Sequence, residues 1–313
     1  MINKNNAAYL SIGDQMRYFL FFLITLFYLL ISLIYPMNFR IVTYDICVLF
    51  IKVILPSIIP IYLISSIMTN NKYFIKLSHR LLKPFKLFES INAPALFISS
   101  ILVGNPTTTI VTLEKYKNKD ITFSDTKIIL SSSFFNPLFI INSTKLAGLN
   151  KYYAYLFIIC LILSNFIILC TNKKVTEQYN IIKTHFSIFE LINSLPNLIL
   201  NIFVISLVIN YLKIPFILIE QLYSYIKVPI EFFDITTGFY NISNMNMNTN
   251  IKLTMLNALI TANGLSILFQ TLYFIKQKAP DNIRYFIKSL LINRVKLLII
   301  SSLLFCILAK LFF

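Results

Sequence analysis

The chain has 313 residues, 57% of them hydrophobic and 13% charged, with a mean hydropathy of +0.75. These values describe a polytopic membrane protein and leave no polar block long enough for a separate soluble domain. The net charge of +16 does not indicate a nucleic-acid partner. Its Lys and Arg residues are spread over connections and segment ends, where they meet anionic headgroups and set topology, and no basic face is interleaved with aromatics.

The four cysteines, Cys47, Cys160, Cys170 and Cys306, lie in or beside apolar segments without paired spacing, and His79 and His185 lie in distant polar connections. Neither a disulfide or metal framework nor a nucleophile–base set follows from them. The chain is therefore not expected to be an enzyme, and the partners expected are a lipid bilayer and a small-molecule solute. A homo-oligomer is left open.

In chain order, residues 1–17 form a polar lead, and residues 18–313 read as one integral membrane domain. Tyr18–Tyr35 is long enough to span and has no small-residue cleavage site after it, so it reads as a retained first helix. Tyr35–Asn38 is a turn. Ile41–Met68 is a second span, kinked by Pro56 and Pro60, with Asp45 and Lys52 either paired across one face or anchored near the interface.

Lys72–Phe88 carries Tyr73, Leu77, Leu81, Phe85 and Phe88 as an apolar stripe, opposite Lys72, Lys76, His79, Arg80, Lys83 and Lys86. That pattern predicts an interfacial amphipathic helix on the cytoplasmic side, ended early by Pro84.

Ala93–Ala147 contains two apolar segments that are each interrupted. The first breaks at Gly104-Asn105-Pro106-Thr107-Thr108-Thr109, the second at Ser131-Ser132-Ser133-Phe134-Phe135-Asn136-Pro137. In a bilayer a broken helix is tolerated only where protein or a water-filled cavity surrounds it. Two breaks in succession predict discontinuous helices whose inner ends line a solute site.

Lys151–Cys170 is an uninterrupted span, and Thr171–His185 a polar connection. Phe186–Leu212 then repeats the earlier pattern: Leu195-Pro196-Asn197, with an apolar run after it, resembles Leu55-Pro56-Ser57. Glu220, Ser224 and Lys227 mark the polar face of a second interfacial helix. Further breaks follow at Asp234–Gly238 and Thr261–Ser266.

The order of elements in residues 41–147 thus recurs in residues 186–275, with residues 151–170 as the connecting span that inverts the second copy. Residues 281–313 form a terminal helix. Arg284, Lys288, Arg294 and Lys296 hold its first half near an interface. The fold class expected is an all-α polytopic membrane protein with two inverted repeats, discontinuous helices and interfacial amphipathic helices.

The stretches ILPSIIPIYLISSIM, GNPTTT, SSSFFNPLFI, DITTG and NGLSILFQ occur in an order and spacing similar to those of the YlbJ-type sporulation integral membrane proteins. The resemblance covers roughly residues 45–300. That family belongs with the nucleoside-recognition or gate-domain membrane proteins, whose fold resembles the concentrative nucleoside transporters. The chain departs from the family after Gly104, where a second glycine and a lysine are absent. At the second break only the proline is kept, and Asp234 stands where the family has Glu. Gly264, Ser266 and Gln270 match the family's G-L-S-x-x-x-Q pattern.

The resemblance implies passage of dipicolinate, a small aromatic dicarboxylate, across the mother-cell-derived membrane of the developing spore, or of a nucleoside-like solute. The alternative is a non-transporting membrane component needed for spore envelope assembly or for a partner complex.

The candidate substrate-binding residues are Asn105, Thr107, Thr108, Ser133, Asn136, Asp234, Thr237, Asn263, Ser266 and Gln270. Asn105, Thr107 and Thr108 offer polar groups at a half-helix start, which suits carboxylates, or they satisfy carbonyls freed by a kink. Asp234 is an ionisable group at membrane depth. It reads as a site for a coupling proton or sodium ion, or as a donor when protonated; the bland reading is a surface helix cap. Glu231 is expected to be interfacial. Ser266 and Gln270 share one helix face, and Gln270 serves equally well as a helix–helix hydrogen bond.

Overall fold

The computed structural model describes residues 12–171, 180, 182, 188–220 and 227–312. Among the described residues 86% are helical and none forms a strand. Among the described residues, five helices are long and apolar enough to cross a membrane: Pro36–Asn70, Lys151–Thr171, Ile192–Ile219, Thr249–Lys278 and Pro280–Leu311. They are consistent with a membrane-embedded protein. Phe19–Ile34 and Ala93–Val103 are shorter apolar stretches; the first belongs to a helix of 23 residues, Ile12–Ile34.

The chain divides into two units. Residues 1–44 hold α1 (Ile12–Ile34) and the start of α2 (Pro36–Leu49). Only Tyr35 interrupts the helix where a four-residue turn was expected. Phe19, Phe21, Phe22 and Leu33 on α1 are exposed, the pattern of a lipid-facing helix.

Residues 45–313 form the second unit. A π-helical turn, Phe50–Ile54, precedes α3 (Leu55–Asn70). Pro56 has no N–H to give to the carbonyl four residues back, and a widened turn absorbs the mismatch. The Ser57 hydroxyl donates to the Val53 carbonyl at 2.5 Å. Asp45 and Lys52 are both exposed, which fits interface anchoring.

Helix α4 (Lys72–Leu82) is capped by Asn71, whose side chain accepts from the Tyr73 and Phe74 amides, and a 3-10 turn over Lys83–Phe85 ends it at Pro84. Ile75 and Ser78 face the protein while Tyr73, Leu77, Leu81 and Phe85 are exposed. Phe88 is buried and does not belong to the exposed stripe, because the chain turns at Lys86 (φ 52°). Burial and the neighbouring Lys83 push the His79 imidazole below its ordinary range, so the positive face rests on the lysines and Arg80.

Four short helices follow: α5 (Ala93–Val103), α6 (Thr107–Lys117), α7 (Phe123–Ser131) and α8 (Pro137–Leu146). The loop before α5 is fastened to α7 by Asp125, which is fully buried. Its carboxyl accepts from the Glu89 and Ser90 amides at 2.8 Å each and from the Ser90 hydroxyl at 2.6 Å. Asp125→Ala strands these donors in a dry site, and unmet buried donors cost about 1–3 kcal/mol each. The expected result is a loss of about 3 kcal/mol or more, read by thermal unfolding in detergent. A variant that melts with the wild type would show that this anchor is hydrated.

Next come α9 (Lys151–Thr171), α10 (Ile188–Glu220), α11 (Lys227–Glu231), α12 (Ile235–Asn244), α13 (Thr249–Ala262), α14 (Gly264–Lys278) and α15 (Ile283–Phe312). Most of the polar lead, most of the Thr171–His185 connection with His185, Ser224, and the side chains of Glu220 and Lys227 lie outside the described residues.

Helix α15 packs against α7, α9 and α13. Arg284, Lys288 and Lys296 are exposed along it, but Arg294 is buried at 8% exposure. Its Nη1 donates to the Ala262 carbonyl at 2.9 Å. The interfacial place expected for Arg294 is thus corrected. The end of α13 carries an unmet carbonyl and a negative dipole end, and both attract a cation.

Candidate functional site

Each interruption has a local cause. Gly104 closes α5 with φ 70° and ψ 173°, a conformation open to glycine alone. Asn136 caps α8, accepting from the Leu138 and Phe139 amides, and Pro137 takes the first helical position, where its missing N–H costs nothing. Asp234 caps α12 by accepting from the Thr237 amide at 3.1 Å. Asn263 (φ 62°) and Gly264 (φ 60°) are both left-handed between α13 and α14.

The third interruption begins two residues earlier than expected. Residues 232–234 are non-helical by pattern, whereas Thr236, Thr237 and Gly238 belong to α12. At the fourth, only Asn263 leaves the helical pattern.

The interruptions meet in pairs and satisfy one another's backbone. The Asn105 amide donates to the Phe134 carbonyl at 3.0 Å and its side chain to the Ser132 carbonyl at 3.2 Å. The Leu265 and Ser266 amides donate to the Phe232 and Phe233 carbonyls at 3.0 and 2.9 Å. The pairs also touch each other. Ser133 Oγ donates to the Thr261 carbonyl at 3.0 Å and accepts from Asn263 Nδ2 at 2.6 Å. Backbone groups released from helices are thereby paired with protein, as an apolar surrounding requires.

A small, partly open cavity lies beside this crossing. Asn105, Thr107, Asn136, Ser206, Thr236, Ser266 and Gln270 supply its polar lining; Ile54, Ile58, Phe135, Phe139, Ile202 and Ile267 supply much of the rest. Three of these polar residues keep a buried atom without a partner: Thr107 Oγ1, Ser266 Oγ and Gln270 Oε1. Gln270 also donates through Nε2 to the Ile202 carbonyl at 3.3 Å, which ties α14 to α10 and leaves its oxygen unpartnered. Groups of this kind are satisfied by water or by a ligand.

Of the ten candidate residues, Asn105, Thr107, Asn136, Ser266 and Gln270 line the cavity. Ser133 and Asn263 instead bond each other at the crossing, and the Thr108 hydroxyl donates back to the Gly104 carbonyl at 2.9 Å. All the candidates but Thr237 are buried.

Asp234 and Thr237 belong to a separate polar network. Lys213 Nζ lies 3.0 Å from Glu231 Oε2 and 3.0 Å from Thr237 Oγ1. That hydroxyl is 3.0 Å from Asn210 Oδ1 and 3.3 Å from Asp234 Oδ2. Asn241 Nδ2 donates to Glu231 Oε1 at 3.0 Å. Asp234 is a helix cap, but at 1% exposure it is not a surface one, and its Oδ1 has no partner.

Glu231 is buried at 6%, which corrects its interfacial reading; Lys213 supplies the charge that lets it stay inside. Sequence reasoning missed Lys213 and Asn210. The available signal was a lysine inside an apolar run ahead of Pro215. It also missed Asn165 of α9, which accepts from the Ser133 amide at 2.9 Å and donates to the Ser133 carbonyl at 3.2 Å.

No known protein family, characterised protein or solved structure matches the chain. The YlbJ-type assignment has no support from these comparisons and rests on the quoted motifs alone.

Proposed function

We propose that the protein carries a small polar or aromatic solute across a membrane by alternating access. The observation that carries this reading is the meeting of four helix interruptions beside a cavity whose lining keeps unpartnered buried polar atoms. Broken helices around a midplane site are how many secondary transporters expose backbone and side-chain groups to a solute.

The paired crossings, one on each side of α9, support two inverted repeats with discontinuous helices. The exposed apolar stripe of α4 supports an interfacial amphipathic helix. Membership of the YlbJ-type family, a role in spore formation, and dipicolinate or a nucleoside-like solute as cargo remain part of the proposal. So does the mother-cell-derived spore membrane as location.

Asp234 is the place for a coupling proton or sodium ion, since one carboxyl oxygen is buried and free while the other is held by α12. In vesicles containing the protein, uptake of labelled dipicolinate or of a labelled nucleoside is expected. Asp234→Asn should slow it about tenfold or more, the worth of one hydrogen bond to a charged group. No uptake of either compound by correctly inserted protein would sink the transport reading and favour a non-transporting membrane component.

A further inference from the structure

Helix α4 has three faces. At about 100° per residue, Lys72, Lys76 and Arg80 fall within about 80° of one another, and Tyr73, Leu77 and Leu81 fill the next sector. Both rows are exposed, whereas Ile75 and Ser78 on the remaining side are buried. The helix packs against α3 and α5. It starts just past Asn70, where the spanning helix Pro36–Asn70 ends, so it lies at headgroup level. Beyond its other end, the Phe85 ring meets Phe166 of α9 edge-on, with centroids 5.2 Å apart.

The cationic row has no counter-charge of its own. No acidic residue occurs between Lys72 and Phe88, and neither α3 nor α5 contains one. Lys83 and Lys86 extend the row through the following turn, and both are exposed. Among the described residues none of these five cations is in an ion pair. Like charges one helical turn apart repel one another, so the chain alone gains nothing from the row.

An anionic phospholipid surface fits both exposed sectors. Its headgroups answer the cations, and its acyl boundary takes in the apolar row beside them. A nucleic acid would use the cations and leave Tyr73, Leu77 and Leu81 in water. The position of α4 also links it to the hairpin of α5 and α6. Asn71 caps α4, and its neighbour Asn70 accepts from Lys115 Nζ of α6 at 2.8 Å.

We propose that α4 is a docking surface for anionic phospholipid, whose headgroups lie along Lys72, Lys76, Arg80 and Lys83, and that this contact braces the α3–α4 corner and the end of α6 behind it. The charge preference is a property of this surface and is independent of transport.

The test titrates the purified full chain in neutral detergent with phosphatidylglycerol or phosphatidylcholine of the same acyl chains, and reads bound lipid by native mass spectrometry. A cation near an anionic surface is worth about fivefold in binding, so phosphatidylglycerol should bind about tenfold tighter or more. Lys72→Gln, Lys76→Gln and Arg80→Gln combined should bring the two lipids to within about threefold of each other. Phosphatidylglycerol should raise the melting temperature of the wild type and not of this variant. Glutamine keeps the helix propensity, and melting in lipid-free detergent checks the fold. Added salt, which leaves the wild-type chain untouched, should shrink its preference.

A control removes the same charge from exposed positions on α8, α9 and α15, by Lys145→Gln, Lys151→Gln and Lys310→Gln. It should keep the preference, and an equal loss there would make the effect one of net charge and overturn the proposal. Equal binding of the two lipids by the wild type overturns it as well, as does a preference that neither the α4 variant nor salt reduces. Displacement of phosphatidylglycerol by glycerol 3-phosphate would mean a small-anion site in place of a lipid surface. Binding that leaves the melting temperature unmoved would sink the bracing of α6.

Discussion

Replacing Lys213 with methionine should cost about 3–5 kcal/mol, the penalty for leaving a buried charge without its partner. Lys213 is 3% exposed and Glu231 6%, and they stand 3.0 Å apart. With the ammonium gone, Glu231 keeps the Asn241 amide among the described residues, so it must take up a proton or draw water into a packed region.

The pair's own net contribution is much smaller, because two charges were desolvated to form it. The double variant Lys213→Met with Glu231→Gln should therefore recover most of the loss. Thermal unfolding of the wild type, both single variants and the double variant gives the coupling directly. If the single lysine variant melts like the wild type, the pair is hydrated and the network is not a buried one. Because Thr237 links Lys213 to Asp234, the lysine variant is also expected to slow uptake.

Gly104→Ala should be comparably damaging, and at the crossing itself. A methyl group there would stand 2.7 Å from the Phe135 carbonyl carbon and 2.8 Å from its Cα. These are backbone atoms of the partner interruption, with no rotamer to escape into. The φ of +70° adds about 1–3 kcal/mol of backbone strain, and overpacking about 1–3 kcal/mol more.

Gly148 provides the comparison. Its φ is +66° but nothing lies within 4 Å of an added Cβ, so Gly148→Ala should show only the conformational cost of about 1–2 kcal/mol. Melting temperatures of the two variants separate strain from clash. In the vesicle assay Gly104→Ala should also abolish uptake, since Asn105 and Asn136 on the two sides of the clash both line the cavity. Equal melting and equal uptake for the two variants would mean that the interruptions are not packed against each other.

These two sites also show how the reading by motif and the reading by geometry diverge. The motifs around Gly104 and Asp234 suggest a carrier for an aromatic dianion. The structure puts no charged side chain in the cavity lining. A helix start offers partial positive charge to a carboxylate, which is why Asn105–Thr108 read as an anion site in the sequence. In the structure Thr108 turns back onto the Gly104 carbonyl and the Asn105 amide is taken by Phe134. The Thr108 and Thr109 amides are taken by the Gly104 and Pro106 carbonyls.

By itself the sequence determined that the chain is helical and apolar enough for a membrane, and several of the places where its helices stop. Those are local properties. Apolar runs must bury or face lipid, proline lacks a donor, and glycine or asparagine permits a left-handed backbone. Gly104, Pro137 and Asn263–Gly264 can therefore be located from their neighbours alone, and the basic stripe of α4 from its spacing.

Only the tertiary structure decided which interruptions meet and which charges are buried. Ser133 and Asn263 are 130 positions apart, Arg294 reaches back 32 positions to Ala262, and Lys213 and Glu231 are separated by 18. A charged side chain in an apolar chain has two outcomes, an interface or a buried partner. The choice depends on what packing places within hydrogen-bond reach, which no local pattern records. For the same reason, five of the ten candidate residues line the cavity while the others hold the crossing and the Lys213 network together.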